Sequence, residues 1–271
     1  MTTTQLGDLT ITPISDGTIS FVATEVFSTT TDADWANHAD LVDSTGNLNF
    51  DIGTYLIRSG SRTVLIDAGV GDIQRGTING GQLITNLAAA GVTPDDIDTV
   101  VFTHLHFDHM GWAARKAGDT YAAVFPNANY RAHADELTYH YSTNNPAHER
   151  FTVIAVGFEN RLETFADGDT IAPGITMRHT PGHTPGSSMV IMSSQGQRAI
   201  LLGDAVHCPA QIQHPEWGPI FDVDPTAARH VREAVAREID GETLVGAAHF
   251  PDLKFGRLIS SGTTRIWSPV A

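Results

Sequence analysis

Short apolar runs separated by turn formers dominate the early part of the chain. Leu9–Ile14, Gly53–Ile57 and Thr63–Ile66 predict strands, and Ser59-Gly60-Ser61 between the last two predicts a hairpin. Gln82–Ala90 instead places Leu83, Ile84, Leu87 and Ala90 at helical spacing, with Gly91 as a C-cap. Thr99–Phe102 reads as a buried strand, and Thr176–Arg178, Ser188–Met192 and Ala199–Leu202 as further strands. The clearest helix is Asp224–Asp240, capped by Asp224, started by Pro225 and ended by Gly241. Its predicted apolar face is Ala227, Ala228, Val231, Ala234, Val235 and Ile239, with Arg229, Arg232, Glu233 and Arg237 facing water. Phe21–Phe50 and Gly118–Phe165 show no sustained period and are expected to be irregular pocket walls. Alternating strands and helices predict a layered α/β fold.

Composition narrows the function classes. The 271 residues, 41% hydrophobic and 17% charged, suit a globular chain with a sizeable core. No apolar run approaches the roughly 20 residues that span a bilayer. Met1–Gln5 has neither a basic patch nor an apolar stretch, so a cytoplasmic location without membrane association is the expectation. The formal charge of −15 disfavours nucleic acid as a partner. Cys208 is the one cysteine, which excludes an intrachain disulfide and a Cys-rich metal site and suits a packed side chain.

The 13 histidines carry more information, because several are gathered. Thr103-His104-Leu105-His106-Phe107-Asp108-His109 packs three imidazoles and a carboxylate into six positions just after a predicted strand. A lone histidine is usually a satisfied polar residue, but burying this group without a cation would cost several kcal/mol. His104 and His106 can turn toward one ion, and Asp108 and His109 toward a second. Imidazole with carboxylate suits Zn²⁺ first, with Mn²⁺, Co²⁺ or Fe²⁺ as alternatives. Three later fragments end in the same residue types: His183 between two Pro-Gly turns, Asp204 at the exit of Ala199–Leu202, and His249 after Leu244-Val245. Taken singly, each would pass for a cap or turn residue.

In this order His104, His106, Asp108, His109, His183, Asp204 and His249 closely resemble the ligand series of the metallo-β-lactamase superfamily. Ile66-Asp67-Ala68-Gly69 is similar to its first motif. The resemblance spans about residues 55–260. It implies a four-layer αββα sandwich, here one domain over 1–271 with two similar halves and a seam near residue 170. It also implies two divalent metals at that seam. His104, His106 and His183 would hold one, Asp108, His109 and His249 the other, with Asp204 bridging both and Asp67 steering the histidine loop. The implied reaction is hydrolysis by a bridging hydroxide, with Asp108 relaying the proton and Asp204 shared by both ions.

Within the superfamily, His106 stands where flavodiiron proteins carry glutamate. Asp204 stands where the Cys-ligand β-lactamases need cysteine, and the charge disfavours the tRNA-processing nucleases. Gly203-Asp204-Ala205-Val206-His207, Phe221-Asp222-Val223-Asp224-Pro225 and Ala248-His249-Phe250-Pro251 resemble the branch of N-acyl-homoserine lactonases and methyl parathion hydrolases. That branch implies a small lactone or ester as substrate, with aryl esters and phosphotriesters beside it. It often places a tyrosine shortly after the bridging aspartate, where this chain has His207; substrate contact and a structural hydrogen bond both remain open for that residue. Trp217, Phe221 and Phe250 are candidates for an apolar substrate wall, with core packing as the competing reading. A glyoxalase-type thioester hydrolase and a catalytically silent metal-binding scaffold are the alternatives. A homodimer is left open.

Overall fold

The computed structural model describes residues 2–270. Strands β1 (Thr4–Leu6), β2 (Leu9–Val22), β3 (Asn47–Ser59), β4 (Arg62–Ile66), β5 (Gln74–Arg75), β6 (Ile78–Asn79) and β7 (Thr99–Val101) occupy the first part. After them come β8 (Ala114–Ala117), β9 (Thr120–Ala123), β10 (Asn129–His133) and β11 (Leu162–Phe165). The rest of the chain supplies β12 (Thr170–Ala172), β13 (Ile175–His179), β14 (Ser188–Ser194), β15 (Gln197–Leu201), β16 (Leu244–Gly246), β17 (Gly256–Ser261) and β18 (Thr264–Pro269). Among the described residues one sheet runs β11-β10-β7-β4-β3-β2-β6-β5, with β1 on β2, and a second runs β12 to β18 in order. The chain changes sheet between Phe165 and Thr170.

Side-chain alternation explains the layers. Val64 and Ile66 of β4 and Val101 of β7 point toward Met177, Val190, Ala199 and Leu201 of the second sheet. Their neighbours Leu65 and Val100 point the other way, onto Leu83 and Leu87 of the helix Leu83–Ala89. On the far side Ile200 and Val245 meet Val235 of the helix Pro225–Glu238. Helices therefore cover the outer face of each sheet, which gives the four-layer αββα sandwich.

Strand direction places the chemistry. β4, β7 and β10 are parallel neighbours, as are β15 and β16. Asp67 follows β4, His104–His109 follow β7, Asp204 follows β15 and His249 follows β16. These four exits lie at C-terminal strand ends, where open α/β sheets place their sites. His183 comes from the turn between β13 and β14, which pair antiparallel.

Several sequence expectations change. β2 and β3 are far longer than their apolar centres, because their polar halves still pair from Leu9↔Ser59 to Val22↔Asn47. Gly118–Phe165 is not irregular: it holds β9, β10, β11 and the helices Ala134–Tyr141 and His148–Ala155. β10 was hidden because only Tyr130 and Ala132 are apolar within it, although both are fully buried. Phe21–Phe50 likewise contains strand ends and the short helices Ala23–Val26 and Asp32–Trp35. The late helix stops at Glu238, with Ile239 already extended, so Gly241 does not end it. No helix among the described residues is long and apolar enough to cross a membrane.

Arg232 is the sharpest correction, because it does not face water. It lies four residues after Ala228 and three before Val235, on the buried stripe, and is 1% exposed. Its Nη1 donates to Asp222 Oδ2 at 3.0 Å and its Nε to the Pro215 carbonyl at 2.8 Å. Removing one partner of such a pair strands the other charge in the interior. Arg232→Met should therefore destabilise the fold by about 3–5 kcal/mol in urea unfolding. A loss too small to measure would show that Asp222 finds another partner.

Candidate metal centre

Buried imidazoles become metal ligands when one ring nitrogen is tied up as a donor and the other is left bare. Four histidines meet that condition. His109 Nδ1 lies 2.9 Å from Asp67 Oδ2, and His183 Nδ1 lies 3.1 Å from Asp222 Oδ1. His249 Nδ1 donates to the Asp51 carbonyl at 2.6 Å. His104 Nδ1 lies 3.1 Å from Thr103 Oγ1, whose own proton goes to Asp67 Oδ2. Each partner accepts the Nδ1 proton, which leaves the Nε2 lone pair facing inward.

Those lone pairs converge. His104 Nε2 and His183 Nε2 lie 3.1 and 2.9 Å from His106 Nδ1, and 3.6 and 3.5 Å from Asp204 Oδ2. Bonds of about 2.0–2.1 Å to a tetrahedral zinc imply ligand separations of about 3.3 Å, so these four atoms have the spacing of a closed ligand set. Beside them His249 Nε2 and His109 Nε2 lie 3.6 and 3.9 Å from Asp108 Oδ2. Asp204 joins the two groups, with Oδ1 3.3 Å from His109 Nε2 and Oδ2 3.3 Å from His249 Nε2. His109 Nε2 and Asp204 Oδ1 are buried without a hydrogen-bond partner, a costly state that a cation between them would relieve.

Electrostatics points the same way. Burial holds His104 well below the usual imidazole range and pushes His106 down to about 3, so both rings are uncharged at neutral pH. Burial also opposes charge on His109 and His249, but the carboxylates of Asp204 and Asp108 outweigh it and raise both. The surroundings of that pair demand positive charge.

The ligands are held by carboxylates the sequence reading did not single out. Asp222 sits between His183 and Arg232. Glu136 accepts from Leu105 N and Gly186 N, one in each histidine loop. Asp16, wholly buried, accepts from Val70 N, Gly71 N, Leu83 N and the Trp112 indole, tying the loop that follows Asp67 to a side chain three residues past His109. Sequence offered a weak signal for these, each being an acidic residue close to a strand, turn or helix start. Asp67 was anticipated. It adopts φ +62°, and its carboxylate receives Thr103 N at 2.7 Å.

A cavity of about 330 Å³ opens over the centre, lined by the polar side chains His106, Asp108, His183, Asp204, His207 and His249 and the apolar ones Ile19, Phe21, Phe50, Phe107 and Phe221. His207 is buried there with Nε2 3.2 Å from Asp204 Oδ2. Of the aromatic wall candidates, Phe221 lines the cavity, 5.6 Å from Phe21. Trp217 packs instead on His214 and Trp35, and Phe250 on Trp267, both in the core. Trp217 belongs to the apolar cluster behind the cavity wall, with Ile19 and Phe50, and Phe250 turns to the helix side of the second sheet. The walls come largely from Phe21, Phe50 and Phe107, isolated aromatics with no pattern to mark them. His133, Asp135 and His179 also cluster, but the two rings stack at 3.8 Å and 12°, and parallel planes cannot aim two lone pairs at one ion.

A model of the metallo-beta-lactamase superfamily matches residues 52–249. The chain belongs to that superfamily. Among its relatives is the N-acyl homoserine lactonase AiiA of Bacillus thuringiensis subsp. kurstaki, 24% identical over 213 residues, covering 70% of this chain and 79% of that protein. Among solved structures, the dizinc quorum-quenching lactonase AidC superposes with a TM-score of 0.86 at 22% identity, over 100% of this chain and 97% of that one. The hydrolase AbOPH, also of the beta-lactamase superfamily, gives 0.86 at 25% identity over 99% and 97%.

Two measurements check the centre. Zinc added to chelator-treated protein should raise its Tm, since free zinc at a hundred times Kd stabilises a native-state site by about 2.7 kcal/mol; an unchanged Tm would rule out a cation site in the native fold. Burial pushes the Cys208 thiol up to about 12, so a thiol reagent should label it only after unfolding. Rapid labelling of the native protein would contradict that burial.

Proposed function

We propose that this member of the superfamily is a dinuclear zinc hydrolase that opens lactones carrying an apolar acyl substituent. The observation that carries the reading is the set of four histidines whose Nδ1 protons are pinned while their Nε2 atoms converge with Asp108 and Asp204. In the assignment we favour, His104, His106 and His183 hold one ion, Asp108, His109 and His249 the other, and Asp204 both. Bound there, two zinc ions would supply Lewis acidity toward a carbonyl oxygen and make water more acidic.

The chain's own residues account for the remaining demands. Ile19, Phe21, Phe50, Phe107 and Phe221 form an apolar wall against which an acyl chain excludes water. Asp108 lies at the cavity with its side chain 13% exposed, close enough to solvent to exchange protons. The Asp108 carboxylate takes a proton from the water that bonds to the acyl carbon and returns it to the ring oxygen as the acyl carbon–ring oxygen bond breaks, leaving a hydroxy acid. His207, held neutral by burial, contributes an imidazole edge beside Asp204 for a substrate oxygen. The similarity to AiiA and AidC supports a lactone over other esters. An aryl ester or phosphotriester is the second reading, favoured by four phenylalanines at the wall.

The test is a hydrolysis panel of short- and long-acyl homoserine lactones, aryl acetates, phosphotriesters, glutathione thioesters and β-lactams. Long-acyl lactones should give the highest kcat/KM; a thioester in first place would replace this reading with a glyoxalase-type one, and a metal-loaded protein inert on every substrate would reject hydrolysis. On the preferred lactone, Asp108→Ala should lower kcat far more than it raises KM. The reverse split would take the proton relay away from Asp108.

A further inference from the structure

We propose that Glu136 is a positioning residue whose carboxylate clamps the His104–His106 loop to the His183 loop and so sets the cation affinity of the three-histidine group. The inference rests on the reading that this group holds a cation. Glu136 sits on the helix Ala134–Tyr141, directly after β10, and is wholly buried. Its Oε1 accepts from Leu105 N at 2.9 Å and lies 3.1 Å from His140 Nε2. Its Oε2 accepts from Thr184 Oγ1 at 2.6 Å and from Gly186 N at 2.9 Å.

The positions of these donors matter more than their number. Leu105 lies between two ligands of the group, His104 and His106. Thr184 follows the third, His183, and Gly186 closes the same turn. One carboxylate thus fastens both sources of the group, which the chain delivers from different sheets. Contact is close: a Cβ on Gly186 would collide with Glu136 N, so only glycine lets the turn lie against the helix. The second group, Asp108, His109 and His249, receives nothing from Glu136. It is steadied by Asp67 and by the Asp51 carbonyl.

Glutamine is nearly the same shape but cannot do the same work. With its nitrogen at the Oε2 place, Thr184 can reverse its hydroxyl toward Ser187 Oγ, 2.7 Å away, but Gly186 N then faces a donor. With the nitrogen at the Oε1 place, His140 can switch tautomer, but Leu105 N is left without an acceptor. Either way one histidine loop is released.

Zinc titration of chelator-treated protein in two backgrounds tests this. His249→Ala leaves the three-histidine group as the complete ligand set, and His183→Ala leaves the other group the better preserved. Glu136→Gln should weaken zinc binding roughly 10–100-fold in the first background, the usual cost of losing a partner that orients a ligand, and leave the second unchanged. Cobalt in the first background should show an altered visible absorption band. Equal weakening in both backgrounds means Glu136 only packs the helix, and no weakening in either means it holds nothing the ion feels; both overturn the proposal. Should Glu136→Gln fail to fold, Thr184→Val removes one arm of the clamp and should weaken the first background alone by a smaller factor; unchanged affinity there overturns it too. Wild-type protein that binds two zinc ions but opens no lactone refutes the proposed reaction and leaves this test intact.

Discussion

Everything in this molecule answers to one desolvation problem: seven imidazole and carboxylate side chains have been brought almost wholly out of water at a single point. Such a cluster survives only if every ring has a fixed tautomer and the converging lone pairs have something positive to meet. For four of the five rings the structure supplies the first condition through Asp67, Asp222, Thr103 and the Asp51 carbonyl. The second is the demand that the proposed zinc pair answers.

The sheets are arranged around that demand. Parallel neighbours β4 and β7 send Asp67 and His104–His109 to one edge, and β15 and β16 send Asp204 and His249 to the facing edge. Around this edge sit four buried acids, Asp16, Asp67, Glu136 and Asp222, each accepting more than one donor. Asp222 also pairs with Arg232, so a ligand on one loop is connected to the packing of the outer helix. Stability and the proposed chemistry share these residues, which is why a charged side chain occupies the apolar stripe of that helix.

How much could be read beforehand follows from the kind of signal each feature leaves. The clustered residues were legible because three histidines and an aspartate within six positions are improbable as unrelated residues, and later His183, Asp204 and His249 each follow a predicted strand or turn. β4, β7 and β15 were legible because their apolar residues run without a break. β10 was not, since alternation in Asn129–His133 leaves two apolar side chains among three polar ones. Arg232 was misjudged because charge is a good predictor of exposure except where a buried acid waits for it. Phe21, Phe50 and Phe107 meet only after long-range pairing of β2 with β3, and no local pattern announces such a meeting. Phe250 shows the converse: an aromatic directly beside His249 in sequence turns to the helix side of its sheet.

The change of sheet between Phe165 and Thr170 divides the candidate ligands four to three: His104, His106, Asp108 and His109 before it, His183, Asp204 and His249 after it. Neither segment alone carries the four donors of the first group, and neither closes the second. A cation at this centre would act as a rivet through both sheets, gained only once the two are docked. Its capture would then report the last step of assembly, and its loss would loosen the joint between the sheets before either one melted.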